Sequence, residues 1–270
     1  TDLDAKHQVT VIVTDHKKAP QQGKNVTVKG DLGQSAAGKT DKNGELTVPE
    51  VEQTERHGVY IVGYTDGTFG PSRSMTRSEA AAIFARLLAE KNGDTISTAA
   101  NTKFADIPAH AWYSGYVKYL SNNGITYGKS KTIFAPNDAI TRAEFTTMAV
   151  RFFDVYGDGD AEIMEQFSGF NDVSSGYWAA EYIKYAALHG WINGYGDGSF
   201  HADREINRAE VVTIVNRLLG READEDYIAD NLRKLNTFPD VSRKHWAYYA
   251  VMEAANAHTA VLGENESWSK

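Results

Sequence analysis

The feature that most limits how this chain can fold is an internal repeat. Phe104-Ala105-Asp106, Phe170-Asn171-Asp172 and Phe238-Pro239-Asp240 are each followed, six residues after the aspartate, by a tryptophan: Trp112, Trp178 and Trp246. A second unit reads Met75-Thr76-Arg77-Ser78-Glu79, Ile140-Thr141-Arg142-Ala143-Glu144 and Ile206-Asn207-Arg208-Ala209-Glu210. Gly63, Gly128 and Gly194 each precede their arginine by fourteen residues, and the period is about 66 residues. Spacing this regular specifies one supersecondary unit copied three times.

The order of the units is offset. The chain opens with a second unit alone, runs through two complete pairs and ends with a first unit alone. Three equal lobes follow only if the ends meet: residues 238–262 would complete the lobe begun by 59–90, beside lobes at 104–153 and 170–219. The expected fold is therefore mainly α, a pseudo-threefold, three-lobed helical module over residues 57–270. Residues 1–56 read as a small β domain or part of one. Val9, Val11 and Val13 alternate with polar neighbours, as do Val26 and Val28, then Leu46 and Val48. Asn43-Gly44 supplies the positive φ angles of a tight hairpin turn.

The pattern F-x-D-x5-W, a helix, G-[WI]-I-x-G-Y-x-D-G-[ST]-F, then I-T-R-A-E and a second helix is similar to that of the S-layer homology family, and it covers residues 59–262. The N-terminal segment resembles a small immunoglobulin-like or carboxypeptidase-regulatory-like β domain. What the first resemblance implies is a non-catalytic module at the end of an exported bacterial protein. Such modules anchor surface proteins non-covalently to secondary cell-wall polysaccharides, pyruvylated ones among them, in grooves between lobes. The arginine of the T-R-A-E motif is a recurrent ligand contact there. The implied location is the bacterial cell surface, and the implied partner is a wall glycan, with lateral contacts to other S-layer proteins as a further possibility. The middle repeat departs from the pattern: Gly128-Lys129-Ser130-Lys131-Thr132 stands where the others have Gly63-Tyr64-Thr65-Asp66-Gly67 and Gly194-Tyr195-Gly196-Asp197-Gly198.

Each motif carries a structural and a functional reading. Thr76, Thr141 and Asn207, each with a glutamate three residues on, are capping boxes, and Met75, Ile140 and Ile206 can staple onto the first turn. Arg77, Arg142 and Arg208 then occupy the first helical position, where the helix's positive end disfavours a cation. A compensating anion is required. It is either an internal aspartate (Asp106, Asp172 or Asp240) or a ligand carboxylate or phosphate held by guanidinium and exposed helix amides together. Trp112, Trp178 and Trp246 either pack in the core or stack on a sugar ring. Tyr64, Asp66, Tyr195 and Asp197 are turn formers that could also meet ligand hydroxyls. Asp154, Asp158, Gly159, Asp160, Glu162 and Glu165 resemble part of a calcium loop, but Tyr156 occupies a ligand position and a solvated acidic linker is the favoured reading.

Composition narrows the function. With a formal charge of −8 and no cysteine, the chain lacks the basic field that nucleic acid or an anionic membrane needs, and it lacks thiolate chemistry. No catalytic signature, metal site or cofactor motif emerges. The chain starts at Thr1 without a leader, which reads as a fragment of a larger secreted protein. Three function classes follow: a glycan-binding anchor, an S-layer assembly module acting through protein contacts alone, and a non-catalytic appendage of a surface hydrolase.

Overall fold

The computed structural model describes residues 9–15, 17–29, 35–48, 53–156, 167–262 and 267–269. The calcium-like positions from Asp158 to Glu165 lie outside them. The chain divides into two compact units, residues 1–57 with 258–270, and residues 58–257. The first holds every strand and the second every α-helix among the described residues.

In the first unit, β1 (Val9–Ile12) pairs antiparallel with β4 (Glu45–Val48), and β2 (Asn25–Lys29) with β3 (Ser35–Lys39). The turn expected at Asn43-Gly44 forms, with Gly44 at φ 75° and Asp41 Oδ1 accepting from the Asn43 and Glu45 amides at 2.7 and 2.9 Å. It is not a hairpin turn, however, because β3 and β4, the strands on either side of it, belong to different sheets. A third sheet joins β5 (Gln53–His57), β6 (His258–Leu262) and β7 (Ser267–Ser269). Here the structure departs from the single stretch 57–270 expected for the helical module. His258 does not end a helix as Gly124 and Gly190 do; it opens β6 opposite His57, and the Trp268 ring stacks on it at 3.8 Å.

In the second unit, capping boxes start the three arginine helices: α1 (Arg77–Asn92), α3 (Arg142–Tyr156) and α5 (Arg208–Leu219). Thr76, Thr141 and Asn207 side chains accept from the amides of Glu79, Glu144 and Glu210, whose carboxylates accept from the cap amides in return. The helices α2 (Ser114–Asn122), α4 (Ala180–Leu188) and α7 (Tyr248–Ala255) pack on α1, α3 and α5 respectively, and a short α6 (Glu225–Asn231) links α5 to the last repeat. Phe84 of α1 meets Phe145 and Phe152 of α3 at 5.3 and 4.9 Å in the shared core.

The apolar residue before each cap lies at the centre. The Met75 amide donates to Ile206 O (3.0 Å), Ile206 to Ile140 O (3.0 Å) and Ile140 to Met75 O (2.9 Å), a closed ring of three backbone hydrogen bonds. All three side chains are buried. Closure of the outer parts follows the same symmetry. Asp106 accepts from the amides of Phe134 and Ala135, Asp172 from Phe200 and His201, and Asp240 from Phe69 and Gly70. The last pair spans 171 and 170 residues, so the terminal half-repeat completes the lobe that the first half begins, through residues up to Ala257. The glycine of each loop is required by contact: a Cβ on Gly63, Gly128 or Gly194 would lie 2.5 Å from a ring carbon of Phe238, Phe104 or Phe170.

Burial raises the pKa of the Asp172 and Asp240 carboxyls, but the two amides each accepts from outweigh it, and both are held below their ordinary value. Their contribution is therefore present above the ordinary carboxylate value of about 3.9 and is lost as pH falls through the lower folded value. Asp240→Ala is expected to cost about 1–3 kcal/mol at neutral pH and little at strongly acid pH. Hydrogen exchange should quicken at the Phe69 and Gly70 amides; if it does not, the two half-repeats are not one lobe in solution.

Candidate functional site

The arginine side chains are nearly inaccessible, with 4%, 5% and 4% relative exposure for Arg77, Arg142 and Arg208. Each reaches forward into the next lobe. Arg77 Nε donates to Phe134 O, Arg142 Nε to Phe200 O and Arg208 Nε to Phe69 O, at 2.8, 2.9 and 2.8 Å. The compensating anion is the capping-box glutamate of that same lobe: Arg77 with Glu144 at 3.1 Å, Arg142 with Glu210 at 3.2 Å, Arg208 with Glu79 at 4.0 Å. Asp106, Asp172 and Asp240, expected as internal partners, instead hold the loop amides. Burial lowers the pKa of Arg142 and Arg208, but from a value so high that both stay charged.

The helix amides expected to meet a ligand are also taken. At α1 the Arg77 and Ser78 amides donate to Asp138 O and Pro136 O. At α3 Arg142 and Ala143 donate to Arg204 O and Ala202 O, and at α5 Arg208 and Ala209 donate to Arg73 O and Pro71 O. The third amide goes to the cap side chain and the fourth to the cap carbonyl. These N-termini are closed joints between lobes and offer no anion site.

What remains open are three grooves of equivalent construction. One is lined by Arg142, Tyr195, Glu210 and Trp246, a second by Arg208, Tyr64, Glu79 and Trp112, a third by Arg77, Gly128, Glu144 and Trp178. Their volumes are about 650, 650 and 400 Å³. The tryptophans line these grooves at 66%, 53% and 57% exposure, so the core-packing reading is wrong for all three. They fall two residues before the helices start at Ser114, Ala180 and Tyr248, and so lie on no helical face.

The loop aspartates stay with the turn. Asp66 accepts from the hydroxyl and amide of Thr68, and Asp197 from those of Ser199, which hold both carboxyls below the usual range. Neither lines a groove. Tyr64 and Tyr195 do, and the Arg208 and Arg142 guanidinium carbons lie 4.6 and 5.2 Å from their ring centres. Burial raises the Tyr195 pKa, so the phenol keeps its proton and donates to Glu210 at 3.0 Å. In the middle repeat Lys129 replaces tyrosine and Asp138 replaces the arginine found at 73 and 204. A Lys129–Asp138 pair at 2.9 Å takes over from the arginine–tyrosine stack.

One set of groove residues escaped the sequence reading. Arg86, Arg151 and Arg217 stand nine residues after the three buried arginines, and each lines a groove. That constant offset was the signal available. Unlike the buried set, Arg217 is exposed and Arg86 and Arg151 are half-buried.

Residues 47–81, 103–146 and 169–212 match the S-layer homology domain. Cell surface glycoprotein 1 of Acetivibrio thermocellus is 34% identical over 218 residues, 78% of this chain and 9% of that protein. The Cellulosome-anchoring protein of the same organism is 30% identical over 233 residues, 86% of this chain and 49% of that protein. The Surface-layer 125 kDa protein of Lysinibacillus sphaericus is 32% identical over 163 residues, 59% of this chain and 13% of that one. The chain thus spans about half or less of these relatives. The matched segments stop at residue 212; the half-repeat from Phe238 shows itself through internal spacing and the Asp240 bonds.

Removing a buried arginine strands a carbonyl and takes a paired cation from a glutamate, of which, among the described residues, Glu210 alone keeps a second, Arg204. Alanine at Arg77, Arg142 or Arg208 is expected to cost about 3–5 kcal/mol in urea denaturation, whereas Arg217→Ala, on the solvent side, should change stability by less than about 0.5 kcal/mol. Equal effects at Arg142 and Arg217 would show that the interlobe joint does not carry the fold.

Proposed function

We propose that these repeats anchor a surface protein to the bacterial cell wall by binding, without covalent attachment, a secondary cell-wall polysaccharide in the grooves between lobes. The observation that carries this reading is the repetition of one groove design, with an exposed tryptophan on one wall and arginine–glutamate pairs at its base. An indole more than half exposed presents a flat apolar face with an N–H at its edge, which suits a sugar ring and one of its hydroxyls. Leaving three such rings in water has no benefit to the fold. The relatives named as surface-layer, cell-surface and cellulosome-anchoring proteins support a wall-associated location. In this reading the module binds and catalyses nothing, and the acidic chain meets acidic substituents of the glycan through guanidinium groups confined to the grooves. The rival is an assembly module whose exposed tryptophans meet other S-layer subunits.

The chain is expected to co-sediment with sacculi that carry their secondary polymer and not with sacculi stripped of it by acid. Alanine at Trp112 or Trp246 should weaken that binding about five- to tenfold, about 1 kcal/mol, without shifting the melting temperature. Equal sedimentation with both kinds of sacculi, or self-association that the tryptophan variants abolish, would favour the protein-contact alternative.

A further inference from the structure

Each groove is lined by two arginines and one glutamate. The buried arginine and the glutamate pair with each other, so their charges cancel at the groove floor. Within each lining the remaining positive charge sits on the second arginine; beside the Arg217 groove, Arg204, outside the lining, also pairs with Glu210. Arg86, Arg151 and Arg217 are not alike in what already occupies them. Arg151 Nε and Nη2 donate to Tyr182 Oη at 3.3 and 3.1 Å, and its guanidinium carbon lies 4.8 and 5.0 Å from the Tyr127 and Tyr182 ring centres. Arg86 lies over the Tyr116 ring at 5.1 Å. Tyr116 and Tyr182 stand four residues after Trp112 and Trp178; the same position after Trp246 is Ala250. Arg217 therefore has no aromatic cradle from α7. It has one neutral hydrogen bond, to the exposed Asn193 side chain at 3.2 Å once that amide is turned to donate to Ile192 O.

We infer that the contact for acidic substituents is this second arginine and not the buried T-R-A-E arginine, and that the grooves are graded, with Arg217's binding an anionic sugar most strongly and Arg151's least. An anion arriving at Arg217 displaces one neutral hydrogen bond; at Arg151 it must compete with two hydroxyl contacts and two ring faces. Groove size runs in the same sense, with about 650 Å³ at Arg217 and 400 Å³ at Arg151, where Tyr127 enters the lining. A carboxylate meeting a guanidinium is a charge-assisted and often bidentate contact, stronger than the neutral bond it replaces. The inference rests on the glycan-binding reading of the same grooves and adds which side chain reads the charge.

The test is calorimetric titration of the intact chain with polysaccharide released from sacculi by acid, before and after its carboxyl groups are reduced to alcohols. The wild-type chain is expected to bind the native polymer at least tenfold more tightly than the reduced one. Arg217→Ala should produce the largest loss on native polymer, about tenfold or more, Arg86→Ala an intermediate one and Arg151→Ala the smallest. None should change affinity for reduced polymer, and melting curves should confirm an intact fold in each. Equal binding of native and reduced polymer overturns the anion role. A loss at Arg151→Ala as large as that at Arg217→Ala overturns the grading. Absence of binding to either polymer sinks the glycan reading itself, and this inference with it.

Discussion

The second unit is organised around the ring of backbone hydrogen bonds among Met75, Ile140 and Ile206. Each of these residues uses its amide toward one neighbour and its carbonyl toward the other, so no lobe completes its own polar contacts. A helix N-terminus normally leaves several amides unsatisfied. Here the ring brings the loop of the following lobe against each arginine helix, and that loop's carbonyls, at Asp138 and Pro136 for α1, take the first two amides. Three copies close the cycle: a chain with two would leave one helix start and one loop unmatched. This is why the helical unit can open and close on half-repeats, since a cyclic arrangement has no preferred starting point.

The same closure explains why a cation is tolerated at the positive end of three helices. A guanidinium at the first helical position costs free energy by itself, through burial and through the helix dipole. The cost is offset because the Nε proton meets a carbonyl and the terminal nitrogens meet a glutamate, both from the next lobe. That glutamate has three tasks. It caps its own helix, it neutralises the neighbouring lobe's arginine, and it forms the groove floor. Groove and scaffold are thus one set of contacts.

The repeat, the three capping boxes, the mainly helical fold and the closing of the chain's ends were all legible in residue spacing, because each is a local pattern or a count. What was not legible depended on which lobe faces which. Arg142 follows Gly128 in the chain, and reading along the sequence assigns it the loop that lacks the Gly-Tyr motif. In space it points one lobe ahead, to Gly194 and Tyr195, and the groove whose loop lacks that tyrosine belongs to Arg77. Which of the two readings held for the tryptophans was illegible for a related reason. Apolar periodicity in α2, α4 and α7 suggests that the ring shares their buried face, but Trp112, Trp178 and Trp246 precede those helices in the turn. The hairpin expected at Asn43-Gly44 failed because turn chemistry sets the bend and not the partner of the strand that follows.

The middle repeat shows how far the two roles of one position can separate. At 64 and 195 a tyrosine both stacks on the arginine four residues before the next helix and lines a groove. At 129 and 138 a lysine and an aspartate hold the same loop to the same helix start by charge. Phe134 N and Ala135 N still find Asp106, Arg77 still finds Phe134 O, and the fold does not register the exchange. The groove does, since neither Lys129 nor Asp138 takes the place in its lining that Tyr64 and Tyr195 hold in the other two. The joint is thus preserved by two different chemistries, an arginine–tyrosine stack in two repeats and an ion pair in the third, while the lining of the grooves differs with them.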